Sequence, residues 1–111
     1  MKIFYKKNVI LLILFFIVAS IGAQNLENLS SSVLLKEANS YYKEFSYKKA
    51  LNRYLVLKNR GKKTPAILFR IADCYFHLRK RNKALSNFDL LVEEHSGTIY
   101  AARAYHKMAL L

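Results

Sequence analysis

The chain has no tryptophan, one cysteine, one proline and three glycines in 111 residues, and only seven acids against 19 lysines and arginines. Each shortage removes a class of protein. A lone Cys74 cannot close an internal disulfide, so the chain is no disulfide-stapled scaffold. With Pro65 the only proline and glycine scarce, there is neither a Gly-rich phosphate loop nor a nucleophile elbow. The most prominent acids, Glu93 and Glu94, are sequence neighbours and so point apart on a helix. Cys74 and His77 stand at i, i+3 and would make half of a metal site, but His95 and His106 supply no second pair at ligand spacing. Cys74 reads instead as a small buried filler. No segment alternates apolar and polar residues for long enough to suggest a strand. The expectation is an all-α, non-enzymatic chain without catalytic residues, cofactor or metal.

What is present begins at the N-terminus. Lys2, Lys6 and Lys7 precede an apolar run from Val9 to Val18, and Ala19-Ser20-Ile21-Gly22-Ala23 supplies small residues before Gln24. Basic end, short apolar core and small-residue site form the layout of a secretory signal peptide. The run is shorter than the roughly 20 residues of a spanning helix. Residues 1–23 are therefore expected to be a signal peptide cut after Ala23, with a retained anchor as the alternative. The formal charge of the whole chain is +12, and the exported part keeps most of it. Export argues against nucleic acid as a partner and favours anionic envelope surfaces or acidic proteins.

After a polar lead, 24–30, the remaining chain repeats itself. Leu34, Ala38, Tyr41, Ala50, Leu51, Tyr54 and Leu57 recur 34 residues later as Leu68, Ala72, Tyr75, Ala84, Leu85, Phe88 and Leu91. Helices are expected over 31–44, 47–59, 65–79, 83–94 and from 99 onward. Ser30 to Ser32, Ser46, Thr64 and Asn82 are the candidate N-caps, Pro65 a first helical residue and Gly61 a left-handed stop. The small alanines let helix backbones approach, and the aromatic residues fill the flanking grooves.

This period and pattern resemble the tetratricopeptide repeat, a helix-turn-helix unit that stacks into a solenoid. The resemblance implies two full repeats, 31–64 and 65–98, and a partial third, 99–111. Glu37 departs from it where the second repeat has Ile71. Leu57 and Leu91 also depart, standing where the family has alanine. Tyr105, Met108 and Ala109 match Leu68, Ile71 and Ala72 only at a spacing of 37. The segment around Glu94 to Ala102 resembles junctions in envelope tetratricopeptide proteins, among them assembly factors, division coordinators and the leading modules of OmpA-like proteins. The localisation so implied is periplasmic or outer-membrane associated, and the chain is expected to be the front part of a longer protein.

In that family the concave face, built from first helices, binds a peptide or a partner's helix. Carried over position by position, it implies Leu35, Asn39, Tyr42 and Lys43, then Phe69, Asp73, Phe76 and His77, then Arg103 and His106. Phe69 and Phe76 are either groove anchors or core. The family's carboxylate clamp is incomplete, because Leu35 replaces its lysine and Arg70 an asparagine, so recognition of a free C-terminus is not implied. The basic residues Lys48, Lys49, Arg53, Lys58, Arg60, Lys62 and Lys63, with Arg79, Lys80, Arg81 and Lys83, cluster on the second helix and the turns. They read as solvated surface, or as contacts to anionic lipid, cell-wall polymer or acidic protein. The apolar finish Met108-Ala109-Leu110-Leu111 offers a route to self-association.

Overall fold

The computed structural model describes residues 26–111 and residues 9, 10 and 13. The expected signal peptide, 1–23, lies outside the described residues except at those three helical positions. Among the described residues no helix is long and apolar enough to cross a membrane.

The described chain is all-helical. Five helices follow one another: α1 (Ser31–Lys43), α2 (Tyr47–Asn59), α3 (Pro65–His77), α4 (Arg81–Glu94) and α5 (Ile99–Ala109). Three starts are fixed by side chains. Ser30 Oγ accepts from the Val33 amide, Thr64 Oγ1 from Ile67 and Thr98 Oγ1 from Ala101, each satisfying an amide with no partner inside its helix. Pro65 sits at the start of α3, where its missing N–H costs no bond. The other two caps differ from expectation. Ser46 makes no side-chain cap on α2, and α4 begins at Arg81, ahead of Asn82, with Lys80 at its uncapped end.

Each helix packs on the next in sequence, and α3 also packs on α5. Two apolar clusters result. Leu34, Ala38, Ala50, Tyr54 and Leu57 from α1 and α2 meet Ile67, Ile71 and Cys74 of α3. The other side of α3, Leu68, Phe69 and Ala72, meets Ala84, Phe88 and Leu91 of α4 and Ala104 of α5. Ala38, Ala50, Ala72 and Ala84 are fully buried, as suits small residues packed between helices. Glu37, the polar departure in the first repeat, ion-pairs with Arg53 at 2.6 Å.

The start of α5 keeps the 34-residue period, because Thr98 and Ile99 follow Thr64 and Pro65 by that interval. The spacing of 37 does not describe its packing. Tyr105 is 60% exposed and Ala109 is exposed, while Ala101 and Ala104 are buried in their place. The C-terminal finish is divided in the same way: Met108 and Leu111 touch the second cluster and Leu110 is 61% exposed.

The turns distinguish the two edges of the array. At the α2–α3 and α4–α5 turns the left-handed residues are Gly61 and Gly97, which adopt positive φ without penalty. At the α1–α2 and α3–α4 turns they are Phe45 (φ 63°) and Arg79 (φ 60°), again 34 apart. A left-handed L-residue costs about 1–2 kcal/mol relative to its right-handed form.

The lead is less polar in its packing than in its composition. Residues 26–28 form a helical turn, and Leu26 and Leu29 lie against the first cluster. Arg60 fixes this segment: its guanidinium donates to the carbonyls of Glu27 and Leu29, each at 2.7 Å, and to Ser31 Oγ. Arg60, expected as one basic surface group among many, is thus a clamp on the lead.

Candidate functional site

The candidate residues fall on the face shared by α1, α3 and α5, and the 34-residue period aligns them in rungs. Asn39, Asp73 and Lys107 occupy one position of three successive first helices; Leu35, Phe69 and Arg103 occupy another. Lys107, which the resemblance did not single out, follows Asp73 by 34 residues and falls beside it.

Asp73 is the hub of the first rung. It is 4% exposed, against the expectation of a groove-surface residue. Its Oδ2 accepts the Tyr42 hydroxyl at 2.5 Å and lies 3.5 Å from His77 Nε2. Lys107 Nζ stands 3.2 Å from Oδ1. That is ion-pair range, yet the angle does not make a hydrogen bond, and Oδ1 accepts none among the described residues. Tyr47, at the start of α2, stacks on His77 with ring centres 4.2 Å apart. One turn earlier, Asn39 Oδ1 accepts both the Tyr54 hydroxyl, at 2.6 Å, and Arg70 Nη1. The Arg70 guanidinium lies over the Tyr42 ring at 5.3 Å. Asn39, Tyr42 and Asp73 are therefore committed to bonds between first helices, and Arg70 and Tyr54 complete a network that spacing alone did not reveal.

The second rung ends in an open notch of about 320 Å³, lined by Phe69, Ile99, Ala102, Arg103, His106 and Lys107. Phe69 is 6% exposed and packs on Phe88 and Tyr100, each 5.9 Å between ring centres. It is a core residue whose edge also reaches the notch. Phe76 is half-buried, with the Lys107 ammonium over its ring at 4.6 Å. Arg103 and His106 are exposed at the rim, and Lys43 is exposed at the end of α1. Sequence reasoning did not single out Ile99 and Ala102, which close the notch.

Burial governs the ionisable groups here. The Tyr42 hydroxyl holds its proton far above the usual phenol range, first because it is desolvated, then because it donates to Asp73 and lies in that carboxylate's field. Burial likewise raises Tyr54, against the opposing charge of Arg70. The Cys74 thiol, packed in the first cluster, is pushed up to about 12, chiefly by burial and then by the Asp73 charge. Such a thiol is a poor nucleophile. Among the described residues no three His, Cys, Asp or Glu side chains converge as metal ligands.

These shifts set an alkaline limit. Both Tyr42 and Cys74 bind their protons more tightly folded than unfolded. The contribution of Cys74 is complete below its unfolded value of 9.0 and is lost as the pH rises towards 12; that of Tyr42 is complete below its unfolded value of 10.0 and is lost only above it. Urea-unfolding free energies should hold level from about pH 8 to 9 and then fall, by at most about 1.4 kcal/mol per pH unit for each group. In the Cys74→Ala/Tyr42→Phe variant that part of the slope should disappear, whatever its starting stability. An unchanged slope would mean that neither group is buried as described.

Compared with protein-family models, curated proteins and solved structures, the chain matches none.

Proposed function

We propose that residues 31–111 form a tetratricopeptide-type solenoid that acts as a non-enzymatic scaffold in the bacterial cell envelope. The face of α1, α3 and α5 binds a protein or peptide partner of an exported chain. One observation carries the reading: local structure recurs at the same 34-residue interval as the sequence. The capping hydroxyls fall at Ser30, Thr64 and Thr98, the left-handed turn tips at Phe45 and Arg79, and the buried alanines at Ala38/Ala72 and Ala50/Ala84. A stack of such units joins short apolar stripes into one core and leaves the first helices side by side on a continuous surface. The notch supports binding at the α5 end, where an aromatic edge and an exposed aliphatic side chain lie beside cationic groups, the setting of an interface anchor.

The test is a photo-cross-linking amino acid placed at Arg103 or His106 in cells that make the full chain, with Asn52 on the exposed side of α2 as control. The expected result is a discrete protein adduct from both rim positions, absent from position 52 and lost when Phe76→Ala is added. Phe69 is unsuitable for this purpose, because its truncation opens the core. Equal labelling from position 52, or none from the rim, would overturn the reading.

A further inference from the structure

One edge of the array carries an unusual combination of groups. The stack of Tyr47 on His77 places the α1–α2 turn beside the α3–α4 turn. The approach of Lys107 to Asp73 and Phe76 brings the last turn of α5 to the same edge. Two large apolar side chains stand out from it, Phe45 at 76% exposure and Leu110 at 61%. Around them lie Lys48 and Lys49 on α2 and Arg79, Lys80, Arg81 and Lys83 at the second turn, all exposed. Glu44 is the only exposed acid on these turns; the acids of α4, Asp89, Glu93 and Glu94, lie towards its other end.

The turn tips add a second observation. Phe45 and Arg79 hold left-handed backbones that suit glycine, and the opposite edge does use glycine, at residues 61 and 97. Phe45 leans on the half-buried Tyr47 ring, 6.3 Å between centres, yet stays 76% exposed. The two helices that start at this edge, α2 and α4, also lack side-chain caps, whereas the three starts at the other edge have them.

We propose that this edge docks on an anionic lipid bilayer, with Phe45 and Leu110 entering the headgroup region and the basic turns facing the lipid phosphates. Basic residues within a Debye length of an anionic leaflet are attracted to it, and exposed apolar side chains add burial at the interface. A soluble polyanion would satisfy the cations but would leave the two apolar groups in water. A second copy of the chain would bring two cationic edges together. The docking is independent of the partner-binding face.

The absence of tryptophan gives a direct test. Phe45→Trp in the full chain makes position 45 the sole indole reporter. It reads this edge alone, even if the apolar N-terminal run also holds the chain on a vesicle. With phosphatidylcholine vesicles containing about 30% phosphatidylglycerol, the emission should shift to the blue and be quenched by lipids brominated near the headgroup. With phosphatidylcholine alone it should do neither. Adding Lys80→Glu, Arg81→Glu and Lys83→Glu should weaken the anionic-vesicle response at least about tenfold. Leu110→Trp is the second reporter should Phe45→Trp disturb its turn, with helicity checked by circular dichroism. Absence of quenching at both reporters, equal quenching on neutral vesicles, or indifference to the triple reversal would each overturn the proposal. So would an emission shift with soluble polyphosphate that equals the vesicle response and lacks lipid quenching.

Discussion

Phe88→Ala is expected to cost about 3–5 kcal/mol, enough to remove most of the stability of a domain this small. Phe88 is fully buried between Ala84 and Leu91 on its own helix, against Phe69 and Ala72 of α3 and Ala104 of α5. Alanines already line that site, so little neighbouring bulk can relax into the cavity. Its equivalent one period earlier, Tyr54, is just as buried but carries a hydroxyl bonded to Asn39. Tyr54→Phe should therefore lose only about 0.5–1.5 kcal/mol, the worth of one hydrogen bond, since Asn39 Oδ1 still accepts from Arg70. Phe45→Ala, at the exposed tip, should stay within about 0.5 kcal/mol of the parent. Urea unfolding followed by far-ultraviolet circular dichroism orders the three. A Phe88→Ala midpoint no lower than that of Tyr54→Phe would mean that the second cluster is not a packed core.

The second large effect concerns a charge pair with unequal burial. The Asp73 side chain is 5% exposed and that of Lys107 25%. Lys107→Met leaves a carboxylate inside the protein without its main counter-charge, so it should cost about 2–3 kcal/mol, below the range for fully buried pairs because water reaches the lysine. Asp73→Asn should cost less, since an amide oxygen still accepts from Tyr42. The double variant should then be more stable than the sum of the single losses predicts, with a coupling of about 1–2 kcal/mol in a double-mutant cycle. Additive losses would show that the two groups do not sense one another, and the rung of Asn39, Asp73 and Lys107 would be a coincidence of spacing.

Much of the helical layout is legible in the sequence because its signals are local. Ser30 and Thr64 mark helix starts through bonds made within three residues, Pro65 suits a first helical position, and the buried stripes follow from helical periodicity. Other features were not legible because their causes are distant or contrary to preference. Nothing about Phe45 or Arg79 announces a left-handed backbone, since such residues disfavour it. Arg60 resembles any surface cation until the lead folds back on it from 33 residues away. In the candidate site the resemblance implied which residues of α1, α3 and α5 share a face, but not the roles within it. Asp73 reads as exposed by type and is buried because three partners from α1, α3 and α5 converge on it. Phe69 belongs to the core for a reason that lies in α5, where Tyr100 covers it.

Because α3 has one flank in each apolar cluster, neither half of the array is complete without it. The contacts are otherwise short in sequence, the kind that form early and quickly during folding. Nucleation can therefore begin with either hairpin, α1–α2 or α3–α4, but cooperativity must pass through α3. Amide protons of α3 should exchange with solvent last and those of α5, whose buried residues are Ala101 and Ala104 alone, early.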